Sequence, residues 1–281
     1  VRSARDIIEL KHLISQNNKQ TKVVAKIEKP EAVIELENIV RESDAVMVAR
    51  GDLGVEIPMQ DVPLIQKKII TTCLNYGKPV IVATQMMERM TENAAPTRAE
   101  VNDVASAVMD GADAVMLSGE TSVGKYPFTT VEAMCKIIEK IESDYEEMYS
   151  KEREPAKDIE RFITDSICFT ACRLASRVGA KGIITMTHSG YTAYKISSQR
   201  PKAAVFVFSG NKKLLTQLSL VWGVKTFFYN KTVSTDHTIA DIKYLLKKQG
   251  HVSEGDMIIN TASIPIEESG KTNMMKMSVV E

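Results

Sequence analysis

Four short apolar runs recur in the first half of this chain, each closed by polar residues: 23–28, 45–52, 80–85 and 114–120. Brief and rich in β-branched residues, they fit parallel strands buried on both faces. Helical periods separate them. Val101, Val104, Ala105 and Val108 stand at i, i+3, i+4 and i+7, one stripe of a helix. Ahead of them, Thr97-Arg98-Ala99-Glu100 has the capping-box pattern. Pro30 suits the first position of another helix, with Val33, Leu36 and Val40 on its inner stripe. Strands alternating with helices predict a parallel α/β sheet. A closed (β/α)8 barrel takes eight units and about 250 residues, so four strands predict a partial (β/α)8 barrel or an open sheet.

A charged stretch with Pro155, residues 145–160, reads as a helix end and linker. After it a helix over 163–177 and strands over 182–186, 203–208, 225–229, 257–260 and 275–280 predict a separate α/β C-terminal domain. The 281 residues thus divide into 1–150 and 151–281, each large enough for its own core. Val1-Arg2 reads as a chain cut just after a strand. Lys plus Arg and Asp plus Glu both number 36, a balance that argues against nucleic acid or an acidic membrane as partner. No apolar run reaches the roughly 20 residues of a membrane span. Cys73, Cys135, Cys168 and Cys172 form no Cys-x-x-Cys pair. They read as buried free thiols, suited to the cytoplasm.

In parallel α/β sheets, chemistry collects at the C-terminal ends of strands. Lys26 and Glu28, two apart, share a face at the first such end. A carboxylate suits magnesium and an ammonium suits a phosphoryl group in transit; the other reading is a structural ion pair. Asp52 closes the second run between Gly51 and Gly54, where backbone N–H groups can take an anion; the other reading is a capping Asp in a glycine-rich turn. Thr84 and Ser118 end the next two runs, as substrate contacts, proton relays or simple caps. Together the five converge on one rim, a magnesium-assisted site for a small phosphorylated or carboxylated molecule.

At these residues the sequence resembles pyruvate kinase. The segments are Ala25-Lys26-Ile27-Glu28-Lys29, Val46-Met47-Val48-Ala49-Arg50-Gly51-Asp52-Leu53-Gly54, Ala83-Thr84-Gln85-Met86, Pro96-Thr97-Arg98-Ala99-Glu100-Val101, Met116-Leu117-Ser118-Gly119-Glu120-Thr121 and Gly124-Lys125-Tyr126-Pro127. The resemblance implies the later half of the catalytic barrel followed by a regulatory domain, and phosphoryl transfer from phosphoenolpyruvate to ADP, giving pyruvate and ATP. It implies that Lys26 steadies the phosphoryl group and that Glu28 and Asp52 hold magnesium. It also implies that Gly51 and Asp52 offer N–H groups to the substrate carboxylate, that Thr84 contacts the enolate, and that Ser118 belongs to the proton-delivery network. The family's first barrel strands, nucleotide-contacting Arg and Asn, potassium ligands and lid domain have no counterpart here, so potassium is expected only in the full-length enzyme. The family also implies a cytoplasmic homotetramer. Two alternatives stay open: a magnesium-dependent lyase of pyruvate or phosphoenolpyruvate, and a stand-alone effector-binding module.

In the second domain, Thr187-His188-Ser189-Gly190-Tyr191-Thr192 resembles the family's loop for an effector phosphate, with Lys195 one turn further on. The late segment 261–273 resembles its effector loop but carries Glu267 and Glu268, with Lys271 as the nearby compensation. A monophosphate is therefore expected there, and fructose 1,6-bisphosphate is not. Trp222, placed on a helix, and Met274-Met275 are expected in the core.

Overall fold

The computed structural model describes residues 1–149, 153–154, 161–231, 234–264 and 272–281. The chain divides into two compact units, Val1–Ser150 and Lys151–Glu281.

In the first unit, strands β1 (Val24–Ile27), β2 (Ala45–Ala49), β3 (Val80–Ala83) and β4 (Ala114–Val115) form one parallel sheet in that order. Val24 pairs with Ala45, Val46 with Val80, and Ile81 with Ala114. The sheet is barrel-like, and among the described residues nothing closes β1 onto β4. Burial on both faces holds for β3, whose four residues are all buried. It fails for β1, where Ala25 and Ile27 are buried and Val24 and Lys26 are exposed. The second apolar run ends its strand at Ala49, because Arg50–Glu56 already forms a helix. Thus Asp52 lies in the first turn of a helix, where a carboxylate suits the dipole.

The helix signals act locally. Thr97 accepts from the Glu100 N–H at 3.2 Å while the Glu100 carboxylate accepts the Thr97 N–H at 2.7 Å, closing the capping box of the helix Arg98–Asp110. Its stripe buries Val104, Ala105 and Val108, while Val101 is exposed. Pro30 opens a helix that stops at Ile34; a second helix, Leu36–Glu42, buries Leu36 and Val40, and Val33 is only partly buried.

In the second unit, β5 (Gly182–Met186), β6 (Ala204–Ser209), β7 (Val224–Phe228), β8 (Met257–Ala262) and β9 (Met274–Val279) are ordered β7-β6-β5-β8-β9. The first four run parallel and β9 pairs antiparallel with β8. One face packs on the helix Phe162–Val178. The other is an aromatic layer in which Phe208 stacks on Phe227 at 4.9 Å and Phe206 meets His251 at 5.6 Å.

Several expectations are corrected. Cys135 is exposed; the other three thiols are buried, and all four are free. Trp222 lies in the turn before β7, partly buried beside the buried Arg200, whose guanidinium sits 5.0 Å from its ring centroid. Met274 and Met275 are only partly buried because β9 is an edge strand, although Met275 packs on the core. Glu267, Glu268 and Lys271 lie outside the described residues. Among the described residues no helix is long and apolar enough to cross a membrane.

Removing the Thr97 hydroxyl should cost about 1 kcal/mol. Thr97→Ala is expected to lower the urea midpoint without changing the slope of the transition, and Thr97→Ser to retain the wild-type midpoint.

Candidate functional site

Parallel pairing in register brings the ends of β1, β2 and β3 to one rim. There the Lys26 ammonium lies 2.5 Å from Glu28 Oε2 and 2.7 Å from Asp52 Oδ2. Two carboxylates reached from different elements thus meet at one cation. Hydrogen bonding to Asp52, then to Glu28, raises the Lys26 pKa, and the bond to Lys26 holds Asp52 below its ordinary value. Lys26 is about half exposed, so this coupling works through geometry more than through low dielectric.

Thr84 follows β3 with φ of 69°, and Gln85 with φ of 55°. A β-branched residue in the left-handed region costs on the order of 1–3 kcal/mol and needs its surroundings to hold it. Arg50 does so. Its guanidinium donates to the carbonyl oxygens of Thr84 at 2.5 Å and Ala83 at 3.2 Å, and it pairs with Asp103 at 2.5 Å. With 11% of its side chain exposed, this cation is fixed by partners on three elements. The Thr84 hydroxyl accepts the Gly51 N–H at 2.9 Å and donates to the Ala83 carbonyl at 2.6 Å. Sequence reasoning passed over Arg50 and Asp103, although a cation directly after a buried strand and a carboxylate on a helix facing it were signals.

Ser118 stands at the β4 end of the rim, exposed, and no hydrogen bond joins it to Lys26, Glu28, Asp52 or Thr84. Its backbone is fixed by Glu120, a third residue the sequence reading missed. That carboxylate, 4% exposed, accepts the Ser118 N–H at 2.7 Å and the Met87 N–H at 3.2 Å. Among the described residues no group of three or more His, Cys, Asp or Glu could hold a metal. Two carboxylates around one positive charge nevertheless suit a hard cation that keeps water and substrate oxygens as its other ligands.

In the second unit, residues 187–190 connect β5 to the helix Tyr191–Ser198, whose first two residues complete the segment 187–192. Gly190, φ 86°, packs so closely that a Cβ would lie 2.7 Å from Leu214. The hydroxyls are engaged: Thr187 accepts the Gly190 N–H, Ser189 accepts the Tyr191 N–H, and Thr192 shares a 2.9 Å bond with Thr272. Lys195, expected to add positive charge, is paired with Asp165 at 3.0 Å. Asp165 also accepts the Tyr191 hydroxyl at 2.7 Å; burial first, then this bond, pushes the Tyr191 pKa up. His188 is exposed.

The sequence matches the family model "Pyruvate kinase, barrel domain" over residues 1–131 and "Pyruvate kinase, alpha/beta domain" over 165–278. It is 41% identical over 283 residues to a pyruvate kinase of Clostridium acetobutylicum, across 100% of this chain and 59% of that protein. It is 40% identical over 282 residues to one of Lactobacillus delbrueckii, across 100% of this chain and 48% of the relative. A solved pyruvate kinase structure from Cryptosporidium parvum superimposes with a TM-score of 0.90 at 35% identity, covering 100% of this chain and 57% of that one. The chain spans about half the length of the curated relatives it matches.

A depressed carboxylate pKa stabilises the fold above the group's ordinary value, and that contribution is lost as pH falls through the lowered one. Carbon-detected NMR titration should therefore place the Asp52 midpoint below that of an ordinary aspartate. In Lys26→Met the midpoint should move up.

Proposed function

The chain belongs to the pyruvate kinase family, and we propose on that basis that its first unit carries the phosphoryl-handling part of a site converting phosphoenolpyruvate and ADP to pyruvate and ATP. The observation that supports this most directly is the meeting of Glu28 and Asp52 at Lys26. In this reading Glu28 and Asp52 hold magnesium, which when bound supplies a Lewis acid to the substrate oxygens. Lys26 lies against the phosphoryl group as its bond to the enol oxygen breaks and a bond to the terminal ADP oxygen forms. Positioning and electrostatics carry most of such a transfer.

Gly51 and Asp52 present N–H groups of the first helical turn, which lack intrahelical acceptors, to the substrate carboxylate. The Gly51 N–H is held by the Thr84 hydroxyl, so a carboxylate there competes with that hydroxyl and frees it toward the enolate. A proton then reaches the methylene carbon to give pyruvate, and Ser118, exposed at the next strand end, is assigned to its delivery. Arg50 positions Thr84. Potassium is assigned no ligand in this chain.

The second unit is read as the regulatory domain, with Thr187, His188, Ser189, Gly190, Tyr191 and Thr192 as the effector-phosphate loop. The cytoplasmic setting rests on four unpaired thiols. The relatives compared give no support to a lyase or to a stand-alone module.

The test is pyruvate formation from phosphoenolpyruvate and ADP by the longest natural polypeptide carrying this sequence. Lys26→Ala should reduce turnover by about 100- to 1,000-fold with the fold intact; unchanged turnover would overturn the assignment. A homo-oligomer is also expected, since Val55 and Phe128 are 86% and 90% exposed and large apolar side chains favour association. Light scattering at micromolar concentration should give a mass above the 31.2 kDa of one chain.

A further inference from the structure

The loops that follow β3 and β4 carry Thr84 and Ser118, and one buried side chain spans them. Glu120 lies in the first turn of the short helix Gly119–Ser122. Its Oε2 accepts the Ser118 N–H at 2.7 Å, and its Oε1 accepts the Met87 N–H at 3.2 Å. Each oxygen thus holds one loop. Among the described residues no ammonium or guanidinium pairs with this carboxylate. An apolar side chain would fill the same space without the desolvation that a charge incurs. What the carboxylate adds is the bridge.

Both ends of the bridge are fixed. A Cβ on Gly124 would lie 2.2 Å from the Glu120 carbonyl oxygen, so the chain packs directly against the glutamate's own backbone. The Lys125 N–H donates to the Thr91 carbonyl at 2.8 Å, a second tie between the same two loops. On the β3 side Met86 and Met87 are fully buried. The Met86 sulfur accepts from the Arg50 guanidinium at 2.8 Å, and that guanidinium also holds the Thr84 carbonyl. A continuous path therefore runs from the Thr84 turn through Met87 and Glu120 to the Ser118 backbone. Ser118 itself is exposed, so its place on the rim is set by its backbone rather than by packing of its side chain.

We infer that Glu120 is a positioning residue for proton transfer: by holding the two loops at one separation, it keeps the Ser118 hydroxyl within reach of the enolate that Thr84 contacts. This rests on the assignment of Thr84 and Ser118 to the enolate site. In the step concerned, the enolate's electron pair forms a C–H bond at the methylene carbon, and the proton lost by the donor is replaced from solvent. Glu120 gives up no proton, since both its oxygens are occupied by N–H donors. Glutamine at this position would keep the volume but offer a single acceptor oxygen, and its NH2 would face an N–H. One loop would be released, and a displacement of about 1 Å can cost about 100-fold in rate.

Two measurements test this. In the 281-residue chain, amide hydrogen exchange read by NMR should find the Ser118 N–H slow in spite of the residue's exposure. Glu120→Gln should speed exchange at Ser118 or Met87 by at least about 10-fold and leave the amides of β2 and β3 unchanged. The second measurement isolates proton transfer. Exchange of the pyruvate methyl protons with D2O is the same step in reverse, followed by proton NMR with magnesium and the longest natural polypeptide carrying this sequence. Glu120→Gln should slow both this exchange and kcat by about 10- to 100-fold, with the KM for phosphoenolpyruvate unchanged within about 2-fold. Ser118→Ala should give a loss of similar size, and the double variant no more than either alone, because the two residues act as one unit. The inference is overturned by rapid exchange of the wild-type Ser118 amide, which needs no variant to measure. It is also overturned by proton exchange that Glu120→Gln leaves unchanged, by a KM that rises as much as kcat falls, or by additive losses in the double variant. A wild type that converts no phosphoenolpyruvate would overturn the proposed function itself, and the role of Glu120 with it.

Discussion

A parallel strand buried on both faces has nowhere but its ends to place polar chemistry. That constraint organises both units. In the first, β1, β2 and β3 align so that polar residues from successive strand ends share one rim. In the second, β5, β6 and β7 open at their C-terminal ends into one cleft. In the first unit the buried strand residues are all apolar, while the second sheet also buries Thr185, Asn260 and Thr261; in both units polar and charged residues gather where the backbone leaves the sheet.

The rim depends in turn on a single guanidinium. Thr84 and Gln85 adopt backbone angles that the chain would not choose alone. Arg50 holds that turn by two carbonyl oxygens and is itself anchored by Asp103 on a helix 53 residues away. A lysine could satisfy one of those partners but not all, because an ammonium is a point charge without the planar fork. The strain at Thr84 is thus compensated outside the residues assigned to contact substrate. Its benefit is a hydroxyl held against the Gly51 N–H.

Much of this was legible in the sequence because it depends on short-range rules. The two-residue strand period puts Lys26 and Glu28 on one side, and the Thr97–Glu100 spacing writes its own cap. What could not be read depends on distant partners. The Arg50–Asp103 pair and the Lys195–Asp165 pair join residues far apart in the chain, and periodicity carries no information about them. Asp52 was expected to end a strand because it closes the polar residues that follow the apolar run, yet the chain turns helical at Arg50. The half-exposed β1 was missed because burial of a strand's second face is decided by what lies opposite, not by its own composition. The aromatic layer over Phe206, Phe208 and Phe227 went unread for a similar reason, since its members come from two strands and a turn.

The internal hydrogen bonding of residues 187–192 bears on how such a loop could respond to an anion. Its hydroxyls already have partners, Thr187 with Gly190 and Thr192 with Thr272. An arriving phosphate would therefore exchange bonds rather than add them, and the net gain per contact would be small. A receptor built on exchange binds loosely and releases quickly, so its occupancy follows the ambient concentration of ligand instead of saturating at trace amounts. The loop would then act as a gauge of abundance more than as a trap.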